Sequence, residues 1–177
     1  MKNDHVLREV ERIKTEYGVI QPEKLAEELR VIVKYEPMGS YDGCCKGFFV
    51  CISRVKHITV NSDIPREIQR VILMHELAHA VLHCKNGSTA AFHDFTVFDS
   101  ASVREYEANI FTADYLMKDE EVLGLLNDDI SFFGAASSLG VPPELLDFKF
   151  RLMKRRGYEM IEPPLMAKGD FLKKVGL

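Results

Sequence analysis

The hydrophobic positions of this chain change period along its length, and the changes divide it into helices, a short run of strands, and helices again. Over residues 3 to 17, Val6, Val10, Ile13 and Tyr17 recur at helical spacing, and Gly18 follows as a stop. Gln21, Pro22 and Glu23 open a second helix through Leu29, with proline in the first turn, where its missing N–H is not needed. The period then drops to two. Val31 to Tyr35 is β-branched and aromatic, and the Pro37 to Gly43 cluster interrupts it. Gly47 to Ser53 and Lys56 to Asn61 predict two further strands, with a hairpin turn near Ser53-Arg54. Ser62, Asp63 and Pro65 are the start signal of a long helix from Arg66 to about Lys85, with Asn86-Gly87 as its stop. Ser88 to Ser100 shows no clear period and reads as a loop. A second long helix is expected from about Ala101 to Lys118, with Val103, Tyr106, Ile110, Ala113 and Met117 on its buried side.

Beyond it, Asp119, Glu120 and Glu121 place negative charge where a helix dipole favours it. Gly140 and Pro142-Pro143 mark a tight turn between two helices, the second carrying Leu145, Leu146, Phe148, Leu152 and Met153 on one side. This stretch resembles a helix-turn-helix unit. Lys149, Arg151, Lys154, Arg155 and Arg156 make its end basic, with no acid among residues 149 to 157. The whole reads as an α+β protein: a unit over residues 1–120, a helical appendage over 121–160, and a flexible tail over 161–177.

Composition narrows the class of function. The 177 residues are 46% hydrophobic and 28% charged, as in an ordinary soluble globule. A net charge of −4 argues against broad nucleic-acid binding. The N-terminal stretch has no apolar signal core and no run approaches the roughly 18 apolar residues of a membrane span, so a cytoplasmic protein with no membrane partner is expected. Four cysteines without a Cys-x-x-Cys pair predict reduced thiols rather than a disulfide framework or a structural zinc site.

The chemistry concentrates in VILMHELAHAVLH, residues 71 to 83. On a helix, residues four apart lie about one pitch, ~5.4 Å, from each other on nearly the same face, so His75 and His79 can close on one metal ion. Glu76 points about 100° further round, placed to take a proton from a metal-activated water. Ile68, Ile72, His75, His79 and Leu82 form one stripe, and Val71, Met74, Ala78 and Val81 make the rest of the surface apolar, as in a buried helix. Two buried histidines at metal spacing with a glutamate between them point to a metal centre rather than to core histidines satisfied by backbone carbonyls. A third ligand is sought on the second long helix. With Ile110 as the centre of its buried face and roughly 100° per residue, Glu107 lies about 60° away and Glu105 about 140° away. Glu107 is therefore the expected ligand and Glu105 a solvated carboxylate. His83, one turn past His79, is expected to be structural or to support the ligands. His93, in the loop, could support a transition-state oxyanion. A metzincin pattern would need Gly and His where Leu82 and Lys85 stand.

HELAH, preceded by a strand ending in TVNSD and followed by EYEANIFTADYLM, resembles the ImmA/IrrE-type metallopeptidase family over roughly residues 20 to 120. The resemblance implies a zincin-like (gluzincin-like) core with a small three-stranded sheet, N-terminal helices and the helical appendage. It implies one zinc ion per chain held by His75, His79 and Glu107, and Glu76 as general base. The implied activity is site-specific cleavage of a protein partner, a helix-turn-helix repressor of a phage or mobile element. In such scaffolds an edge strand borders the cleft, here expected at Ile58, Thr59, Val60 and Asn61, where substrate would add as a strand. The chain departs from the family pattern at Tyr115 to Lys118 and at Asp114, which is expected either to buttress a histidine ligand or to be a plain surface charge. The rival reading is a regulatory binding module that keeps the zincin shape without cleaving, and an intact Glu76 favours the enzyme.

Overall fold

In the computed structural model, which describes residues 4–84, 90–91, 100–127 and 130–166, helices α1 (Asp4–Tyr17) and α2 (Pro22–Glu28) lead into strand β1 (Val31–Glu36). Strands β2 (Gly47–Ile52) and β3 (Val55–Asn61) form a hairpin, followed by α3 (Arg66–Leu82) and a two-residue strand β4 (Ala90–Ala91). The remainder is helical: α4 (Ser100–Leu116), α5 (Asp119–Asn127), α6 (Phe132–Ser138) and α7 (Pro143–Arg155). His93 lies outside the described residues, as does the expected tail from residue 167 onward.

The four strands lie in the order β1-β3-β2-β4. The β2–β3 hairpin turns through Ser53 and Arg54, both left-handed at φ 50° and 68°. Two consecutive left-handed residues give a turn whose twist matches that of the flanking strands, although the usual Asn-Gly is absent. β1 runs parallel to β3, with Val31 opposite Lys56 and Glu36 opposite Asn61. β2 lies on the other side of β3 and runs antiparallel to it, so the chain between β1 and β2 must cross over the end of β3. Asn61 holds that crossover: its amide donates to the carbonyls of Gly39 and Cys45, both at 2.8 Å, and its oxygen accepts from the N–H of Met38 and Asp63.

This topology corrects the expectation for the substrate edge. Ile58, Thr59, Val60 and Asn61 are paired on both sides, to β1 and to β2, so β3 is an interior strand. The outer strands are β1 and β4, and among the described residues β4 pairs Val50 and Cys51 of β2.

α3 packs on the sheet so closely that a Cβ on Gly47 would lie 2.5 Å from Ile72 Cγ2 and 3.1 Å from Thr59 O. Every residue of α3 from Val71 to Ala80 is buried, between the sheet and α4. α4 in turn is enclosed by α3, α1 and α7, and all of Ala108–Tyr115 is buried.

The C-terminal helices share this core rather than hanging from it: Leu145, Phe148 and Leu152 of α7 join the cluster that contains Leu77 of α3 and Phe111 of α4. Nor is the basic end of α7 a free patch. Lys149 is 1% exposed, with its Nζ 3.0 Å from Asp114 and 2.6 Å from Asp119, and Arg156 pairs with the same two carboxylates. Arg151 pairs with Asp147 and Lys154 with Glu162. Asp114 therefore neither buttresses a histidine nor sits on the surface; it is a buried anion that fastens α7 to α4. No described helix is long and apolar enough to cross a membrane.

Candidate metal centre

α3 presents His75 and His79 from a helix so enclosed that each histidine is 3% exposed. Their Nε2 atoms lie 3.1 Å apart. The carboxylate of Glu105, from the first part of α4, closes the group: Oε2 is 3.2 Å from His75 Nε2 and Oε1 is 3.3 Å from His79 Nε2. A tetrahedral ion with bonds of about 2.0–2.1 Å holds its ligands roughly 3.3–3.4 Å apart, so these spacings fit one zinc-sized ion. The donor set fits as well, because two imidazole nitrogens and a carboxylate form a zinc ligand set that leaves a fourth position open. Among the described residues, His75, His79 and Glu105 are the group whose donor atoms gather closely enough to hold an ion.

The carboxylate that joins the two histidines is thus Glu105, where Glu107 was expected. Counting from Ile110 requires a single buried face on α4. With burial continuous from residue 108 to 115, the helix has no one apolar stripe from which to count. Glu107 instead meets His83, at 3.1 Å from Oε2 to Nε2, and His5 of α1, at 3.3 Å from Oε1. His83 Nδ1 lies 3.0 Å from His79 Nδ1, so His83 contacts His79 through the ring nitrogen that does not face Glu105.

The environment divides the two histidines electrically. Burial opposes a charge on His75, but Glu105 outweighs it, with Glu76 and Asn109 adding, and the pKa is raised. For His79 burial dominates over Glu105, aided by repulsion from His75 and His83, and the pKa is pushed down to about 4. Burial would raise Glu105, yet the two histidines hold it far below the usual carboxylate range. Burial also lowers His83, partly offset by Glu107. Glu76 is 8% exposed, adjoins the cluster through its effect on His75, and also acts on the half-buried thiol of Cys45.

Asn109 and Glu105 are the residues that sequence reasoning missed. Both act on His75, and they lie four apart on α4 as the histidines do on α3. That matched spacing, two polar residues one turn apart on a buried helix, is the signal that could have found them.

The sequence model of Peptidase_M78, described as the IrrE N-terminal-like domain, matches residues 26–151. The chain is also similar to Uncharacterized immunity region protein 2 of Bacillus phage phi105, with 30% identity over 145 residues, covering 79% of this chain and 85% of that protein. No solved structure matches.

Proposed function

The chain belongs to the Peptidase_M78 (ImmA/IrrE) family, whose name implies a metallopeptidase, and on that premise we propose that it is a zinc-dependent endopeptidase cleaving a specific protein partner. The observation that carries this reading is the convergence of His75 Nε2, His79 Nε2 and the Glu105 carboxylate within 3.3 Å of one another, beside a buried Glu76. The partner we propose is a helix-turn-helix repressor of a phage or mobile element, met in the cytoplasm; a relative named for a phage immunity region supports that class.

His75, His79 and Glu105 would hold the ion. When bound, zinc supplies Lewis acidity, lowering the pKa of water to about 7 and polarising a carbonyl. Glu76 takes the proton of the attacking water as its oxygen bonds to the scissile carbonyl carbon, then delivers that proton to the amide nitrogen as the C–N bond breaks. Burial keeps Glu76 away from bulk water, so the proton it accepts stays at the site. Substrate main chain adds beside β2, beyond the two residues that β4 pairs among the described residues, rather than to β3, whose two sides are both taken.

The test is incubation of the zinc-loaded protein with the helix-turn-helix repressor encoded beside its gene, followed by mass spectrometry of the products. Cleavage at one bond is expected with the native protein, and none with Glu76→Gln, which should keep its zinc. Equal cleavage by Glu76→Gln removes Glu76 from the mechanism. A repressor that binds but stays whole transfers the reading to a non-cleaving regulatory module.

A further inference from the structure

We propose that Glu107 and His83 form a positioning relay for His79, fixing the tautomer and orientation in which it can hold a metal ion; this rests on the zinc site proposed above. A neutral imidazole carries one donor and one acceptor nitrogen. If His79 binds through Nε2, which faces His75 and Glu105, its proton must sit on Nδ1. That nitrogen lies 3.0 Å from His83 Nδ1, and His83 Nε2 lies 3.1 Å from Glu107 Oε2.

The proton positions follow from the anionic end. A carboxylate only accepts, so the His83 proton is drawn to Nε2 and donated to Glu107. His83 Nδ1 is left with a lone pair, which accepts the Nδ1–H of His79. His79 Nε2 is then bare and directed at the cluster. The other oxygen of Glu107 lies 3.3 Å from His5 Nε2, so α1 helps hold the carboxylate that starts the chain. The side chains of His83 and Glu107 are 7% and 13% exposed, which makes water a poor substitute for either.

The same contacts exclude direct roles for both residues. Each ring nitrogen of His83 is already committed, one to His79 and one to Glu107. Neither residue belongs to the group of donor atoms that lie close enough together for one ion. Partners that hold the far nitrogen of a ligand histidine typically change metal affinity by about 10–100-fold.

The test uses the full chain, with zinc affinity measured by competition against a chromophoric chelator and the ligand field read from the visible spectrum of the cobalt-substituted protein. Glu107→Leu and His83→Leu should each weaken zinc binding by about 10–100-fold while the cobalt spectrum keeps its ligand count. The double variant should be no worse than the weaker single one, because either change breaks the same chain. His83→Gln, whose amide oxygen can accept the His79 proton, should recover most of the loss. Unchanged affinity in both leucine variants, additive losses, or abolished binding in Glu107→Leu overturns the relay while native zinc binding leaves the site itself standing. Failure of the native protein to bind zinc overturns both. Should the leucine variants not fold, Glu107→Gln decides: it must lose affinity in the native background and lose none in the His83→Gln background.

Discussion

At the scale of single residues, a shared carboxylate makes two chemically identical side chains unlike. Glu105 touches both histidines, yet His75 is driven toward protonation while His79 is held at a pKa of about 4. A metal ion needs both neutral, so near neutral pH the cost of uptake falls on His75 alone. Zinc binding should therefore release part of a proton at pH 7, seen as a calorimetric heat that changes with the ionisation heat of the buffer; a buffer-independent heat would contradict the assignment. In the metal-free protein the signs run apart. Glu105 and His79 both have folded pKa values below their unfolded ones, so their contribution to stability is present above the unfolded values and is lost on acidification through the folded ones. His75, raised, contributes below its unfolded pKa and loses that contribution as pH rises through the folded value. Glu105→Gln should cost more zinc affinity than Glu107→Gln, by chelator competition, and the opposite order would restore Glu107 as the ligand. The pattern His75-Glu76-x-x-His79 was legible in the sequence because it depends only on the repeat of one helix. The choice between Glu105 and Glu107 was not, because it depends on how a helix buried on several sides is rotated against its neighbour.

Elements were legible wherever one period dominated, and neighbours were not. Alternation marked β1, β2 and β3, and the turn at Ser53-Arg54 joined the last two, but nothing in an alternating strand says which strand lies beside it. The parallel return of β1 against β3 therefore turned an expected edge into the middle of the sheet. The helix-on-sheet contact has its own sequence mark in Gly47, read only as the start of a strand. Because a Cβ there would meet Ile72 at 2.5 Å and the Thr59 carbonyl at 3.1 Å, β2 approaches α3 at a distance that no other residue permits. Gly47→Ala should destabilise the protein by about 1–3 kcal/mol in urea denaturation, the usual cost of overpacking a core. Ile72 lies on α3 within one turn of His75, so zinc affinity should fall in the same variant, and Ile72→Leu, which removes Cγ2 at similar volume, should recover part of both losses. Native stability in Gly47→Ala would mean that the sheet and α3 are not held at this distance.

For the whole molecule, the question is whether the C-terminal third is an attachment or part of the fold that builds the metal centre. A charge run at the end of a helix, read alone, looks like a solvated or ligand-binding face, and a sequence cannot show that acids some thirty residues earlier will meet it. Here Lys149 and Arg156 neutralise Asp114 and Asp119, and burial, which would raise Asp119, is outweighed by these two cations so that its pKa is lowered. Lys149→Met should leave the two carboxylates facing each other with Arg156 as their remaining partner in this group, a loss of about 3–5 kcal/mol for a broken buried pair. The position of α4 depends on the same contact. Its Tyr106 ring packs 5.4 Å from Phe148 of α7, while Glu105 beside it reaches the histidines of α3. Removing residues 119–177 would thus expose one side of the helix that supplies the third carboxylate. If α5 to α7 were a separable unit, the shortened chain would fold and bind zinc with native affinity, losing only recognition of its partner. We expect instead that the shortened chain loses cooperative thermal unfolding and zinc binding together, as judged by circular dichroism and chelator competition. Lys149→Met should sit between the two, folded but less stable, with its zinc affinity reduced less than its stability, because the bound ion itself favours the folded chain.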